Sequence, residues 1–352
     1  YGTLWRLARE GRIDASEWEV RFYELALKVS GAVQARRWTR LPDGGFIYSF
    51  NGAHSLFVDT IRSCRSLAVA HQLGHVLMGE QDQRISLLQR LIEHALNTAR
   101  YSIYYGDGRD AYDVSGRTTH EVIFNVASGV FRCPNSQQGY SPFSTWTRGL
   151  AWALCGFPEE LEFLETITTA DLKSVGGRSR LVAAFLEAAT ATADFYLANS
   201  CADGIPMWDT GASNLHRLPM NYLSRPSNPY NAWEPVDSSA AAIAAQGLIR
   251  LGNYLNAHGD GTTGGRYLQA GLTIANALFS EPYLSVDPKH QGLFLHSVYH
   301  RPNGWDYIAP GQEVPNGESS MWGDYHLREL ALMLLREARG ESYLTFFDYT
   351  KR

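Results

Sequence analysis

Apolar residues recur three and four apart along most of the chain, the spacing of a helix with one buried face. Residues 83–103 show it most plainly, with Ile85, Leu88, Leu91, Ile92, Ala95, Leu96 and Ala99 in one stripe. Residues 16–38 repeat it with Trp18, Val20, Phe22, Leu25, Ala26, Val29 and Val33. The same spacing predicts helices over 55–78, 144–155, 158–170, 178–199, 238–258, 265–280 and 320–338. Ser16, Ser144, Ser238 and Ser319 stand where N-caps belong. Longer stretches rich in Gly, Pro and aromatic residues separate the helices at 41–54, 104–143, 201–237 and 281–319. Within them GGFIYSF (44–50), HEVIFNV (120–126) and GLFLHSVYH (292–300) have the composition of strands. No βαβ period is present, so a parallel sheet is not expected. The rhythm implies helical hairpins stacked in a ring or solenoid, with alternate loops gathered on one face. Nothing reads as a linker, so one domain is expected over residues 1–352.

Composition narrows the function classes. The chain is 45% hydrophobic and 19% charged, which is globular. A net charge of −5 gives no basic footprint for nucleic acid. No apolar run of about 18 residues suggests a membrane span. The 9 Trp, 19 Tyr and 15 Phe are either filler for a large core or flat faces for stacking on sugar rings. Cys64, Cys133, Cys155 and Cys201 form no CxxC pair, which argues against zinc or redox chemistry and leaves the compartment open between cytoplasm and periplasm. P-loop, GxGxxG, GxSxG and HExxH motifs do not occur. His71 and His75 are four apart but lack a third ligand, so no metal site is expected. The opening YGTLWRLAREG is already at helical spacing and shows no leader pattern; residues upstream of Tyr1 are expected.

Three stretches could carry chemistry. In FVDTIRS, Asp59 falls in the first turn of a predicted helix among Phe57, Val58 and Ile61. It is either a helix-terminal acid or a buried carboxyl with a raised pKa suited to general acid work. Arg62 and Arg65, one turn on, would pull that pKa down. In RTTHEVIFN, His120 opens a strand and is either a structural hydrogen-bonder or a site residue. In QGYSPFSTWTRGLAWALCGF (138–157), Ser144 or Thr145 caps a helix on which Arg148 and Trp152 share a face, with Gly149 leaving room for close approach and Trp146 packing elsewhere. Asp237 and Ser238 read as a structural cap before an alanine-rich helix. Trp322, Asp324 and Tyr325 open the last helix and either line a cleft or close the domain.

Taken in order, SLFVDTIRS, HEVIFNVASG, QGYSPFSTWTRGLAWALCGF, DSSAAAIAAQGL and NGESSMWGDY resemble the unsaturated glucuronyl hydrolases, glycoside hydrolase family 88. The resemblance implies an all-α, (α/α)6 barrel of six helical hairpins, here without an N-terminal hairpin. It implies removal of an unsaturated uronic acid from the non-reducing end of lyase-generated oligosaccharides, with no cofactor and no metal. In that chemistry an aspartate protonates the C4=C5 bond, water adds at C5, and the hemiketal collapses. By resemblance, Asp59 is the catalytic acid and base, His120 is an active-site histidine, and Gln138, Arg148 and Trp152 contact the sugar, with Trp146 and Trp322 in the same cleft. The partner is then the oligosaccharide, not nucleic acid or membrane, and the protein a monomer or homodimer of a polysaccharide-degrading bacterium. A second family aspartate would fall at or before residue 1. Unsaturated rhamnogalacturonyl hydrolases, sugar epimerases and a barrel that binds sugar without turnover are the competing readings.

Overall fold

The computed structural model describes residues 1–345 and 347. Its helices are α1 (Gly2–Arg9), α2 (Glu17–Arg36), α3 (Cys64–Gln72), α4 (Leu87–Ser102), α5 (Thr147–Thr166), α6 (Thr169–Ser174), α7 (Arg178–Ala198), α8 (Ser238–Ala257), α9 (Gly261–Leu278) and α10 (Met321–Ala338). They form an all-α barrel. α1 packs on α2, α3 on α4, α5 on α7 and α8 on α9. Among the described residues this makes four hairpins, with α10 as a further inner helix against α8. The inner line runs from α3, entered through a 3-10 turn at Val58–Ser63, to α5, α8 and α10.

The inner helices approach closely because small residues face their neighbours. α8 is buried from Ser238 through Gly252. A Cβ on Gly247 would lie 2.5 Å from the Leu154 carbonyl oxygen of α5. A Cβ on Gly156 would lie 2.8 Å from Ile61. Neither position admits a side chain without separating the helices. The outer helices are amphipathic, as α4 shows with Leu88, Leu91, Ile92 and Ala95 buried.

Several boundaries differ from the sequence reading. Residues 55–78 are not one helix: β3 (Ser55–Phe57) precedes the 3-10 turn, and β4 (Leu77–Met78) pairs with β5 (Arg84–Ile85). Residues 144–155 and 158–170 are joined, because α5 continues through Pro158. The backbone donor lost there leaves the Leu154 carbonyl without its helical partner, at the point where Gly247 lets α8 approach. Residues 292–300 form no strand; His296 adopts a φ of 70°, which ends the extended run. Ser16 caps α2 in a full capping box with Glu19. The caps expected at Ser144, Ser238 and Ser319 belong instead to Trp146, Asp237 and Ser320, one or two residues away. The stripe that predicts α2 faces outward, with Trp18, Phe22, Leu25, Val29 and Val33 exposed. Among the described residues α7 alone is long and apolar enough to cross a membrane, at a mean hydropathy of 1.3. Here it is an outer barrel helix with Leu181, Phe185 and Ala189 buried.

At one end of the barrel lie a three-stranded antiparallel sheet, β3 with β6 (Glu121–Phe124) and β6 with β7 (Phe131–Asn135), and the hairpin of β1 (Trp38–Leu41) and β2 (Gly44–Ile47).

Candidate active site

Strand pairing sets the first two residues. Phe57 stands opposite Glu121, and the Val58 amide donates to the His120 carbonyl at 2.9 Å. β3 therefore delivers Asp59, at the start of the 3-10 turn, to the backbone of His120, the residue immediately before β6. Asp59 is half-buried as a residue, and its Oδ1 is buried without a hydrogen-bond partner among the described residues. Burial pushes this carboxyl up to about 6, against the pull of its own backbone amide and of Arg148, and with a further push from Glu121. Arg62 and Arg65 do not lower it, contrary to the sequence reading. Both turn away to Glu159 of α5, with Arg65 Nε donating to its Oε2 at 3.0 Å.

His120 is buried between Phe57 and Trp146, whose rings lie 4.4 and 4.8 Å from its own. Its Nδ1 accepts from the amides of Gln137 at 3.0 Å and Gln138 at 3.3 Å. That acceptor role places the proton on Nε2, which is buried and has no partner among the described residues. Burial, then Arg148 and His300, push its pKa down to about 3, so the ring is neutral and offers one N–H.

Arg148, in the first turn of α5, ties the site together. Its guanidinium lies between Trp146 and Trp322, 4.7 and 4.8 Å from the two ring centres. Nη1 donates to Asp237 Oδ2 at 3.2 Å, to Ser239 Oγ at 3.4 Å and to the Val298 carbonyl. Nη2 donates to the Tyr299 carbonyl at 2.8 Å and to Gln138 Oε1 at 3.1 Å. Helical spacing turns Trp146 away from the Arg148 face, but its ring stacks on the Arg148 cation. Trp152, four residues on, does not share that contact. It is half-buried, 5.1 Å from the His326 ring, with the Arg62 guanidinium 5.6 Å above it.

These contacts bring the N-terminal turns of α5, α8 and α10 and the 3-10 turn to one place. Each helix presents the positive end of its dipole there, which favours an anion. Asp237 caps α8 by accepting from the amides of Ser239 and Ala240, as the sequence suggested, but it also pairs with Arg148. Sequence reasoning missed Asp306, which accepts from the amides of Tyr299 and His300 and fixes the carbonyls that hold Arg148. It also missed Asp209, and no motif marks either residue. Trp322 donates Nε1 to Ser239 Oγ at 3.2 Å. Asp324 accepts from the amides of Leu293 and Phe294 and braces the preceding loop. Among the described residues no group of three His, Cys, Asp or Glu side chains is placed to hold a metal ion.

No protein-family model matches the chain. An unsaturated glucuronyl hydrolase of Formosa agariphila is 27% identical over 240 residues, covering 68% of this chain and 46% of that protein. One from Bacillus sp. strain GL1 is 27% identical over 250 residues, covering 71% and 52%. The chain thus spans about half the length of the curated relatives it matches. The crystal structure of the unsaturated glucuronyl hydrolase responsible for the degradation of glycosaminoglycan in Bacillus sp. GL1 superimposes with a TM-score of 0.67 at 23% identity, covering all of this chain and 76% of that one. In sequence and in fold, the chain is similar to the unsaturated glucuronyl hydrolases.

Proposed function

We propose that the barrel is a glycoside hydrolase that removes an unsaturated, 4-deoxy-4-ene uronic acid from the non-reducing end of oligosaccharides produced by polysaccharide lyases. The observation that carries this reading is Asp59, a carboxyl raised to about 6, with one oxygen lacking a hydrogen-bond partner among the described residues, beside a neutral His120 and a buried arginine. A carboxyl in that state keeps a useful fraction of its proton near neutral pH.

On this reading Asp59 gives its proton to C4 of the C4=C5 bond, leaving positive charge shared between C5 and the ring oxygen. The resulting carboxylate takes a proton from water as the water oxygen bonds to C5. The hemiketal opens to a 5-keto sugar, and the hemiacetal at C1 releases the leaving sugar. The Asp59 proton is restored, so the cycle consumes only water. His120 Nε2–H points its donor at the sugar and cannot itself become the acid, because burial keeps the ring neutral. Arg148 and the converging helix N-termini supply positive potential for the uronate carboxylate. The Arg148 N–H groups that bond Asp237 and the 298–299 carbonyls hold the site; Gln138 and Trp152 remain as sugar contacts. The conjugated C4=C5 bond absorbs in the ultraviolet. Incubation with lyase-generated disaccharides should therefore erase that absorbance, and Asp59→Asn should leave it unchanged while circular dichroism stays native. Steady absorbance with the unmodified protein, across glucuronyl and galacturonyl substrates, would sink the proposal.

A further inference from the structure

One fully buried carboxylate beside the site takes no part in the chemistry above. Residues 207–210 run along the approach to α5: the Thr147 amide donates to the Trp208 carbonyl at 3.1 Å, and the Thr210 amide to the Thr145 carbonyl at 2.9 Å. Asp209 is thereby the bridge partner of Trp146. Its side chain reaches across to the loop 136–144. Oδ2 accepts from the Tyr140 amide at 2.8 Å, and Oδ1 from the Gly211 amide at 2.8 Å. The turn is tight. A Cβ on Gly139 would lie 2.9 Å from Asp209 Oδ2, 2.6 Å from Ser136 Oγ and 2.9 Å from the Trp146 Cβ.

The residues just before this anchor are the ones that matter to the site. The Gln137 and Gln138 amides hold His120 Nδ1, and the Gln138 side chain accepts from Arg148. Carboxylate bonds to backbone N–H groups are short and strong, and a carboxylate accepts two at once without rearrangement. The loop 136–144 carries no acidic residue of its own to act as an anionic acceptor. Ser141 and Ser144 bond to each other and to local amides.

We propose that Asp209 is a positioning residue: it anchors the 136–144 turn so that the Gln137 and Gln138 amides fix His120 in its Nε2–H tautomer. The proposal rests on the reading of His120 as a donor to substrate, but its first readout does not depend on turnover. Two variants test it. Asp209→Asn keeps one acceptor oxygen and sets an amide donor against a backbone N–H. Gly139→Ala leaves the carboxylate intact and pushes the turn off it. Nitrogen-15 spectra of the imidazole groups report the tautomer, with His120 assigned among the 11 histidines by its loss in His120→Gln. The unmodified protein should show an unprotonated Nδ1 and a protonated Nε2 for His120. Either folded variant should shift both signals toward a tautomer average and lower kcat on the order of 100-fold, as a small misplacement of a site group does. Unchanged His120 signals and an unchanged kcat in both folded variants would overturn it. If the unmodified protein fails to consume unsaturated disaccharides, the functional reading falls, while the nitrogen-15 spectra still decide the role of Asp209.

Discussion

Asp59→Asn should make the protein more stable at neutral and alkaline pH while removing the proposed proton donor. Folding raises this carboxyl from an ordinary 3.8 to about 6. At about 1.4 kcal/mol per tenfold change in proton affinity, that difference corresponds to about 3 kcal/mol. The sign follows from which state holds the proton more tightly. The folded state does, so the favourable contribution is complete below pH 3.8 and is lost as pH rises through 6. At pH 8 the full amount, about 3 kcal/mol, works against folding; at pH 5 about half of it does. Asparagine is neutral and nearly isosteric at every pH. The advantage of the variant should therefore grow by about 1.4 kcal/mol between pH 5 and pH 8. Urea unfolding followed by tryptophan fluorescence at the two pH values measures it. An advantage of equal size at both, or none at pH 8, would refute the assignment of Asp59 as an acid held out of water by the fold.

On the proposed function, the same carboxyl would set the pH dependence of activity. Protonation of C4 requires the acid form, so kcat/KM for an unsaturated disaccharide should fall as pH rises through about 6, and a flat profile between pH 5 and 8 would remove Asp59 from the role. A second buried centre tests the inner wall of the barrel. Glu159 pairs with Arg62 and Arg65 and lies 3.8 Å from Arg250; burial alone would raise its carboxyl, but the arginines hold it well below the usual range. Glu159→Gln removes the buried anion shared by Arg62 and Arg65, leaving Arg65 with Glu329 and Arg250 with Glu162, and should cost about 3–5 kcal/mol in denaturant unfolding, whereas a loss under about 1 kcal/mol would mean the cluster is solvated.

The parts legible in the sequence are those that local rules determine. The stripe at 83–103 and the alanine-rich run from Ser238 carry their own period, and both became helices within a few residues of the expected bounds. Residues 55–78 were misread because Phe57 pairs with Glu121 across the sheet, a contact that no local spacing encodes. Helical spacing correctly put Asp59 in a first turn, but assigned its electrostatics to the wrong arginines. Arg62 and Arg65 are near in sequence; Glu159 captures them in space. Arg148 and Trp152 are four apart on one helix and still separate, because the cation is drawn to partners on the 298–299 loop and at the start of α8. Asp209 and Asp306 act on backbone amides of distant loops, so their sequence surroundings carry no mark of the role.

The strongest argument for function is a comparison of carboxyl groups within this one end of the barrel. Glu121 is met by Asn51, Ser55 and Asn135, at 2.7 Å for Asn51 and 2.6 Å for Asn135. Asp209 and Asp306 each accept two backbone amides, and Asp237 accepts three, from Ser239, Ala240 and Val298, and pairs with a guanidinium. The chain therefore has ample means of satisfying buried acids here. Asp59 Oδ1 and the His120 Nε2–H are each left without a hydrogen bond among the described residues. Each such group costs about 1–3 kcal/mol when shut away from water. Under the proposed function, this open acid and this open donor are the hydrogen-bonding positions that a substrate would fill. The stability gained by Asp59→Asn measures what that arrangement costs the free protein.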